Sequence, residues 1–241
     1  MLKEIVRKDF REVDKNDEIS KIFGYLYGET DLPIVMDGKK PWGMIDERRL
    51  IKSKLLGNEK IKDFVVGVPK LDASYSIKKA KERMVKSGVD KIIVTSDKRL
   101  VGYVTAIDIA KELGISKRAH ELMEEIEAIN EDDEMGDALN AMRRKNIKIL
   151  PVVSNKKFCG VISIKNVLPL TSTHEKVTDY HQEKTSLLDA PVKGFIEVGV
   201  ETCMPNDGVE EIIDIMEEQG FVIVCKNGEY MGVIEPIDLL K

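Results

Sequence analysis

The 241-residue chain has few cysteines, few aromatic residues and no long apolar run. Its three cysteines, Cys159, Cys203 and Cys225, are odd in number and include no CxxC spacing, which favours reduced thiols over a disulfide framework or a zinc cage. No window approaches the ~18 to 20 apolar residues of a transmembrane helix, and the opening MLKEIVRKDF places charges where a secretory signal needs an apolar stretch. We therefore expect a soluble, cytoplasmic, globular protein with no membrane contact.

The chain also lacks the short motifs on which common enzyme classes depend. None of G-x-x-x-x-G-K-[S/T], G-x-G-x-x-G, H-E-x-x-H or G-x-S-x-G occurs, and the carboxylates are not set in pairs at fixed offsets. His174 and His181 stand among acidic residues, but their spacing fits no common set of metal ligands. These absences predict a protein that is not an enzyme and holds no metal.

Charge is plentiful but unevenly distributed along the chain. Residues 1–116 carry 24 basic and 19 acidic groups, whereas residues 117–241 carry 14 and 24. An acidic second half repels nucleic acid, so we expect no such partner, and the basic first half is the easier place to hold a phosphate-bearing ligand. Abundant Lys, Glu and Ile with almost no Gln is typical of thermophile proteins.

A short phrase recurs four times, and each copy reads as a strand, a tight turn and a helix. The copies are PWGMIDERRLI (41–51), LVGYVTAIDIA (100–110), FCGVISIKNVL (158–168) and YMGVIEPIDLL (230–240). Upstream of each copy lies an apolar strand that ends in a charged turn, which predicts a hairpin, and before that strand comes an amphipathic helical run. The repeated unit is therefore predicted to be β-α-β-β-α.

A unit of this size exposes apolar faces on both its sheet and its helices, so pairing with a neighbour is the natural way to bury them. We predict an α/β (α+β) fold of four repeats arranged as two pseudo-twofold pairs. The first pair spans 1–116, with repeats at about 4–57 and 61–115, and the second spans 117–241, with repeats at about 117–170 and 190–241. The polar stretch 171–189 is interpreted as a linker.

This pattern resembles the cystathionine-β-synthase (CBS) domain family, whose units are similar in order and length and work in tandem pairs called Bateman modules. The family's [L/I]-P-[V/I]-V strand is matched at 32–35 and 150–153. Its G-x-[V/I]-[T/S]-x-x-D turn is matched in full by Gly102, Val104, Thr105 and Asp108. The resemblance covers nearly the whole chain and implies a stand-alone protein with four CBS repeats.

The resemblance implies an adenosine-type ligand in the cleft of a pair: AMP, ADP, ATP or an S-adenosyl compound. The Asp of the turn would take the ribose hydroxyls and the Thr would face the phosphate, and these residues are Asp108 and Thr105 in the second repeat. The other implied contacts there are an apolar wall for the purine, Ile92 and Ile93, and an opposite edge of backbone near Lys70 and Leu71.

The other three turns depart from the family pattern. The weaker candidate contacts are Ser163 and Asn166 in the third repeat, Asp238 in the fourth, and Arg48 and Arg49, which could reach a phosphate held by the partner repeat. Glu235 replaces the Thr in the fourth repeat and would repel a phosphate, so an uncharged or cationic adenosyl ligand suits that turn better. Every one of these turns also suits a helix N-cap, which explains the pattern without any ligand.

The implied function is regulatory and non-catalytic. The chain would sense an adenine nucleotide or adenosyl ligand, as in energy sensing, and signal to an unknown regulated protein through a change in pair geometry. The alternative is a scaffold or assembly protein whose clefts are degenerate and empty. By family precedent paired modules associate into discs, so we expect a homodimer, although the chain could also close a disc from its own two pairs.

Overall fold

The computed structural model describes residues 1–26, 33–53, 55–171 and 187–241, and its first half holds two copies of the predicted unit. After the 3₁₀ helix Leu2–Glu4, the first repeat contains β1 (Glu12–Asp14), a 3₁₀ helix (Ile19–Ile22) leading into α1 (Phe23–Leu26), β2 (Ile34–Asp37), β3 (Lys40–Ile45) and α2 (Glu47–Leu50). After the 3₁₀ helix Ile61–Phe64 and β4 (Val65–Val66), the second contains β5 (Lys70–Asp72), α3 (Ile77–Ser87), β6 (Lys91–Ser96), β7 (Arg99–Thr105) and α4 (Ala106–Leu113).

The second half repeats this order. After α5 (Ala119–Leu122), the third repeat contains β8 (Ile129–Asn130), α6 (Met135–Lys145), β9 (Ile149–Ser154), β10 (Lys157–Ser163), α7 (Ile164–Val167) and the 3₁₀ helix Leu168–Thr171. After the 3₁₀ helices Leu187–Asp189 and Val192–Gly194, the fourth contains β11 (Thr202–Cys203), α8 (Val209–Gln219), β12 (Val222–Lys226), β13 (Glu229–Ile234) and a C-terminal 3₁₀ helix (Pro236–Leu240). Most of the predicted linker lies outside the described residues.

All four repeats share one strand pairing, which confirms the predicted fold class. The first strand of each repeat runs parallel to the second, and the second forms an antiparallel hairpin with the third. The third and fourth repeats also share one six-stranded sheet, because β10 meets β13 at Lys157 and Glu229.

Two of the long helices, α3 and α8, carry recognisable signals at their ends. Ser76 caps α3 by accepting a hydrogen bond from the backbone N–H of Lys79 at 3.3 Å. Both α3 and α8 end at a glycine in the left-handed region, Gly88 (φ 62°) and Gly220 (φ 83°). Glycine pays no Cβ penalty in this conformation, so each glycine fixes its helix end.

The two members of each pair exchange their leading segments. Four residues that precede the first strand of their own repeat, which we call the crossover residues, lie antiparallel to the partner repeat's third strand: Arg7 to Tyr103, Val66 to Met44, Glu124 to Val233 and Glu197 to Val161. Each of these partner positions follows the glycine of the repeated phrase. At Gly102 an added Cβ would lie 2.0 Å from the carbonyl oxygen of Arg7, so the close approach explains why a glycine stands there.

The apolar core joins the repeats in two directions. One cluster joins the helical faces of the second and fourth repeats, and another joins those of the first and third. Two smaller clusters, one in each pair, lie between the strands of its two repeats. The two pairs therefore pack against each other within one chain, with helical faces buried between them.

The described residues include all three cysteines. Each cysteine carries a free thiol, with Cys203 and Cys225 buried and Cys159 half-buried. Burial raises the pKa of Cys203 to about 12 and that of Cys225 to about 11, so both stay protonated at neutral pH.

No helix in the described ranges has the length and apolar character that a bilayer crossing requires.

Candidate ligand site

The turn of the second repeat is a reciprocal helix cap. Thr105 ends β7 and begins α4, and its hydroxyl accepts the backbone N–H of Asp108 at 3.2 Å. In return, the Asp108 carboxylate accepts the backbone N–H and the hydroxyl of Thr105, both at 2.9 Å. The structure thus confirms the capping interpretation of this turn and places the hydroxyl and the carboxylate together.

Arg7, a crossover residue from the first repeat's leading segment, is paired with the same carboxylate. Its Nε lies 3.0 Å from both oxygens of Asp108, and its Nη2 lies 2.8 Å from Oδ1. The Asp108 side chain is 14% exposed and that of Arg7 is 34% exposed. The sequence reasoning missed Arg7, because it stands 101 residues from Asp108 and belongs to no repeated phrase.

The other predicted contacts of this site differ in exposure and in the face of the sheet on which they lie. Lys70 is exposed at the start of β5, opposite Ile93 in the parallel register, and Leu71 is buried next to it. Ile92 and Ile93 are fully buried on opposite faces of β6. Ile92 packs in the helical-face cluster of the second and fourth repeats, and Ile93 packs between the sheets of the first pair.

In the second pair, the polar side chain of each turn contacts either an acidic crossover residue or a lysine that is paired with one. Ser163 donates to Asn166 at 3.1 Å and is in a short hydrogen bond with Glu197. Asp238 is buried, accepts the backbone N–H of Glu235 at 2.7 Å, and forms an ion pair with Lys241, which also pairs with Glu124. A carboxylate therefore stands at or beside each of these turns.

The first repeat's turn places its two arginines differently. Asp46 caps α2 and accepts hydrogen bonds from the backbone N–H of Arg48 at 3.1 Å and from its Nε at 2.8 Å. Arg49 is exposed, at the position that Asp108 holds in the second repeat. Its crossover residue is Val66, so the crossover position brings no ionised side chain to this turn.

Four charged residues, one from each repeat, form what we call the central cluster: Arg48, Asp90, Lys148 and Glu235. Asp90 and Lys148 precede equivalent strands, β6 and β9, and their charged groups are 3.7 Å apart. Each side chain is surrounded by protein yet keeps about a third of its surface exposed, 32% and 28%. The pattern search missed both, because the repeats carry opposite charges at this position.

The charges of the central cluster shift one another's pKa values. Burial alone would lower the pKa of the Lys148 ammonium, but Asp90, Glu47 and Glu235 hold it above its ordinary value. Burial alone would raise the pKa of Asp90, but Lys148 and Lys91 hold it below its ordinary value. The cluster contains two bases and two acids, so these four residues offer no surplus positive charge to an anion.

Glu235 is the member of this cluster whose ionised form is disfavoured in the folded protein. Burial raises the pKa of its carboxyl above 4.5, and the opposing charges of Lys148 and Arg48 only partly offset that effect. Between 4.5 and the raised value the folded state binds more protons than the unfolded state, so the free energy of unfolding falls as pH rises through this window.

We expect Glu235→Gln to be more stable than the parent at about pH 7 and equal to it below about pH 4.5, because the amide never ionises. Urea unfolding at both pH values measures the difference. The control is Glu210→Gln on the exposed face of α8. A Glu235→Gln variant that is less stable than the parent at neutral pH would contradict a raised pKa of Glu235.

Two open grooves lie away from the second repeat's turn. One, of ≈ 670 Å³, runs between α3 and the C-terminal 3₁₀ helix, with Val85, Leu113 and Leu240 among its lining residues. The other, of ≈ 710 Å³, lies between the start of α8 and the β12–β13 turn.

Within the described part of the chain no three His, Cys, Asp or Glu side chains cluster as metal ligands, and His174 and His181 lie outside it.

Comparison with known proteins identifies the repeats. The CBS domain family model matches residues 61–115, 119–170 and 192–241. The first repeat lies outside these matches, although its strands pair as the others do. Its turn carries Asp46 and Arg49 where the family pattern has Thr or Ser and Asp, which removes the most recognisable part of the sequence signature.

Solved structures share this architecture, and curated relatives share part of the sequence. Protein MJ1225 of Methanocaldococcus jannaschii, described as a proposed archaeal homologue of γ-AMPK, superposes with a TM-score of 0.78 at 17% identity, covering 98% of this chain and 97% of that one. A conserved protein of Pyrococcus horikoshii gives 0.65 at 18% identity, covering 99% and 97%. Uncharacterized protein MJ1404 of M. jannaschii is 24% identical over 257 residues, covering 100% of this chain and 61% of that protein. The chain spans between 56% and 62% of the length of four curated relatives it matches.

Proposed function

Since the chain belongs to the CBS domain family, we propose that it is a non-catalytic regulatory protein that binds an adenine nucleotide or an S-adenosyl compound. The proposed site is the turn of the second repeat. Binding there would favour one geometry of the first pair and so signal to a regulated partner protein. A ligand can bias such an equilibrium only through its different affinities for the two geometries, typically by ~1 to 3 kcal/mol.

The observation that carries this proposal is the composition of the second repeat's turn. Among the four described turns it alone combines a hydroxyl, Thr105, a carboxylate, Asp108, and a guanidinium from the partner repeat, Arg7. A carboxylate can accept both hydroxyls of a ribose, and a hydroxyl at a helix start lies beside backbone N–H groups that favour an anion. MJ1225, with its described likeness to γ-AMPK, supports the same regulatory class by analogy of fold.

The proposal predicts a thermal shift. At ~100 times its dissociation constant, a ligand that binds only the folded state adds ~2.7 kcal/mol to the free energy of unfolding. Melting the full chain with AMP, ADP, ATP, S-adenosylmethionine and S-adenosylhomocysteine measures this effect. No shift with any of these ligands would refute the proposal.

Asp108→Ala should abolish the shift while the fold survives. The substitution removes a cap and a partly exposed ion pair, so we expect it to lower the free energy of unfolding by about 1 to 2 kcal/mol without ligand. The matched control is Glu112→Ala, an exposed carboxylate on the same helix, which should keep the shift. An Asp108→Ala protein that retains the full shift would place the ligand elsewhere.

A second candidate function, a scaffold with empty clefts, is favoured by the second pair. There Glu197 engages Ser163, and Glu124 and Lys241 surround Asp238, so both turns are filled by the chain's own side chains. A scaffold of this kind would bind its partner protein with equal affinity with and without nucleotide.

A further inference from the structure

The carboxylate of Asp108 has no acceptor position left for a ligand. Oδ2 accepts hydrogen bonds from the backbone N–H and the hydroxyl of Thr105 and from Nε of Arg7, while Oδ1 accepts from Nε and Nη2 of Arg7. An ionised carboxylate offers about four lone-pair sites, and these donors fill them. A ribose can therefore bind Asp108 only if one of the present donors leaves.

Arg7 is the donor that can leave. The bonds from Thr105 cap α4 and are local to the turn, so losing them would cost the helix its N-terminus. The guanidinium reaches the carboxylate from a segment 101 residues away and already keeps a third of its side chain in solvent.

Arg7 stays at the turn when its side chain moves. Its backbone N–H donates to the carbonyl of Tyr103 at 2.9 Å, and its carbonyl accepts the N–H of Tyr103 at 3.1 Å. Leu2, five residues earlier, is fully buried in the core of the second and fourth repeats. A guanidinium displaced from Asp108 therefore remains within side-chain reach of whatever displaced it.

We infer that Arg7 is a specificity-determining residue, which exchanges Asp108 for the phosphate of a nucleotide and so selects a phosphate-bearing nucleoside over a neutral or cationic adenosyl compound. This inference rests on the proposed function, because it assumes a ribose at Asp108. The planar guanidinium pairs with two phosphate oxygens as it now pairs with two carboxylate oxygens. S-adenosylmethionine supplies no phosphate, and its sulfonium has the same sign of charge as the guanidinium.

We expect the preference for a phosphate-bearing nucleoside at this turn alone, because the other crossover residues are not bases. At the equivalent position the first repeat receives Val66, the third Glu197 and the fourth Glu124. None of these three side chains can pair with a phosphate, and the base at the fourth turn, Lys241, is already held by two carboxylates, Asp238 and Glu124. The expected stoichiometry is one phosphate-bearing nucleoside for each chain.

The test is the preference for AMP over adenosine, measured by isothermal titration on the full chain and its variants. We expect the parent to bind AMP at least tenfold more tightly than adenosine, with one site. Arg7→Ala should bring the two affinities within about threefold, by weakening AMP and by leaving Asp108 free to accept the ribose of adenosine. Arg7→Lys should keep part of the preference because it keeps the charge. Arg11→Ala, which removes an exposed arginine from the same segment, is the matched control and should behave as the parent.

The outcomes separate this inference from the proposed function. If AMP binds, Asp108→Ala abolishes binding, and Arg7→Ala or Arg7→Lys leaves the preference unchanged, the site stands and the role of Arg7 is wrong. If S-adenosylmethionine binds the parent more tightly than AMP, the role of Arg7 is wrong as well. If no nucleoside binds the parent, both proposals are wrong. The melting curve of each variant shows that it is folded, and Arg7→Lys supplies the comparison if Arg7→Ala is not.

Discussion

Gly102→Ala is expected to lower the free energy of unfolding by about 3 kcal/mol. The new Cβ would lie 2.0 Å from the carbonyl oxygen of Arg7, and 3.0 Å from a methyl group of Val6, so backbone rather than a flexible side chain obstructs it. Relief requires the crossover segment to leave β7, which breaks both backbone hydrogen bonds between Arg7 and Tyr103 at a cost of about 1 kcal/mol each.

The measurement for Gly102→Ala is urea unfolding followed by circular dichroism. Gly24→Ala is its matched control, because Gly24 lies in α1 with no atom within 4 Å of an added Cβ and should be neutral or slightly stabilised by the same substitution. Equal stabilities for the two variants would contradict the reciprocal exchange of leading segments.

Ile109→Ala is expected to lower the free energy of unfolding by about 3 kcal/mol and to shift the unfolding of the whole chain. Ile109 lies on α4, fully buried in the cluster that joins the second repeat to the fourth. The substitution leaves a cavity between the two halves of the chain, so both halves lose the same contacts.

Two probes test whether the halves unfold together after Ile109→Ala. Fluorescence of Trp42 reports on the first repeat, and circular dichroism reports on all helices; both transitions should move together. Val85→Ala on α3, at a side chain that is 41% exposed, is the control and should change stability by less than about 0.5 kcal/mol. Two separate transitions, of which only one moves, would mean that the pairs fold independently.

The sequence predicted the fold because the fold depends on local signals that recur. Alternating apolar strands, charged turns and helix stops such as Gly88 each act over a few residues, and four copies reinforce one another. The strand pairing of the first repeat was predicted even though the family model does not match it, since the hairpin pattern survives the loss of the turn motif.

The site was only partly predictable, because its partners come from distant segments. The cap between Thr105 and Asp108 follows from residues three apart, and the structure confirms it. Arg7 and Glu197 occupy crossover positions that hold Arg, Val or Glu in the four repeats, so no single residue type marks them. The pairing of Asp90 with Lys148 depends on how the two pairs meet, which strand and helix periodicity does not determine.

The exchange of leading segments also has a consequence for synthesis on the ribosome. Arg7 is translated about a hundred residues before Tyr103 and Asp108, to which it binds. The segment around Arg7 therefore cannot form these contacts until the first repeat and most of the second have been translated. Contacts between such distant positions form slowly, so we expect the segment around Arg7 to become protected from proteolysis only after the hairpin of β6 and β7 has left the exit tunnel.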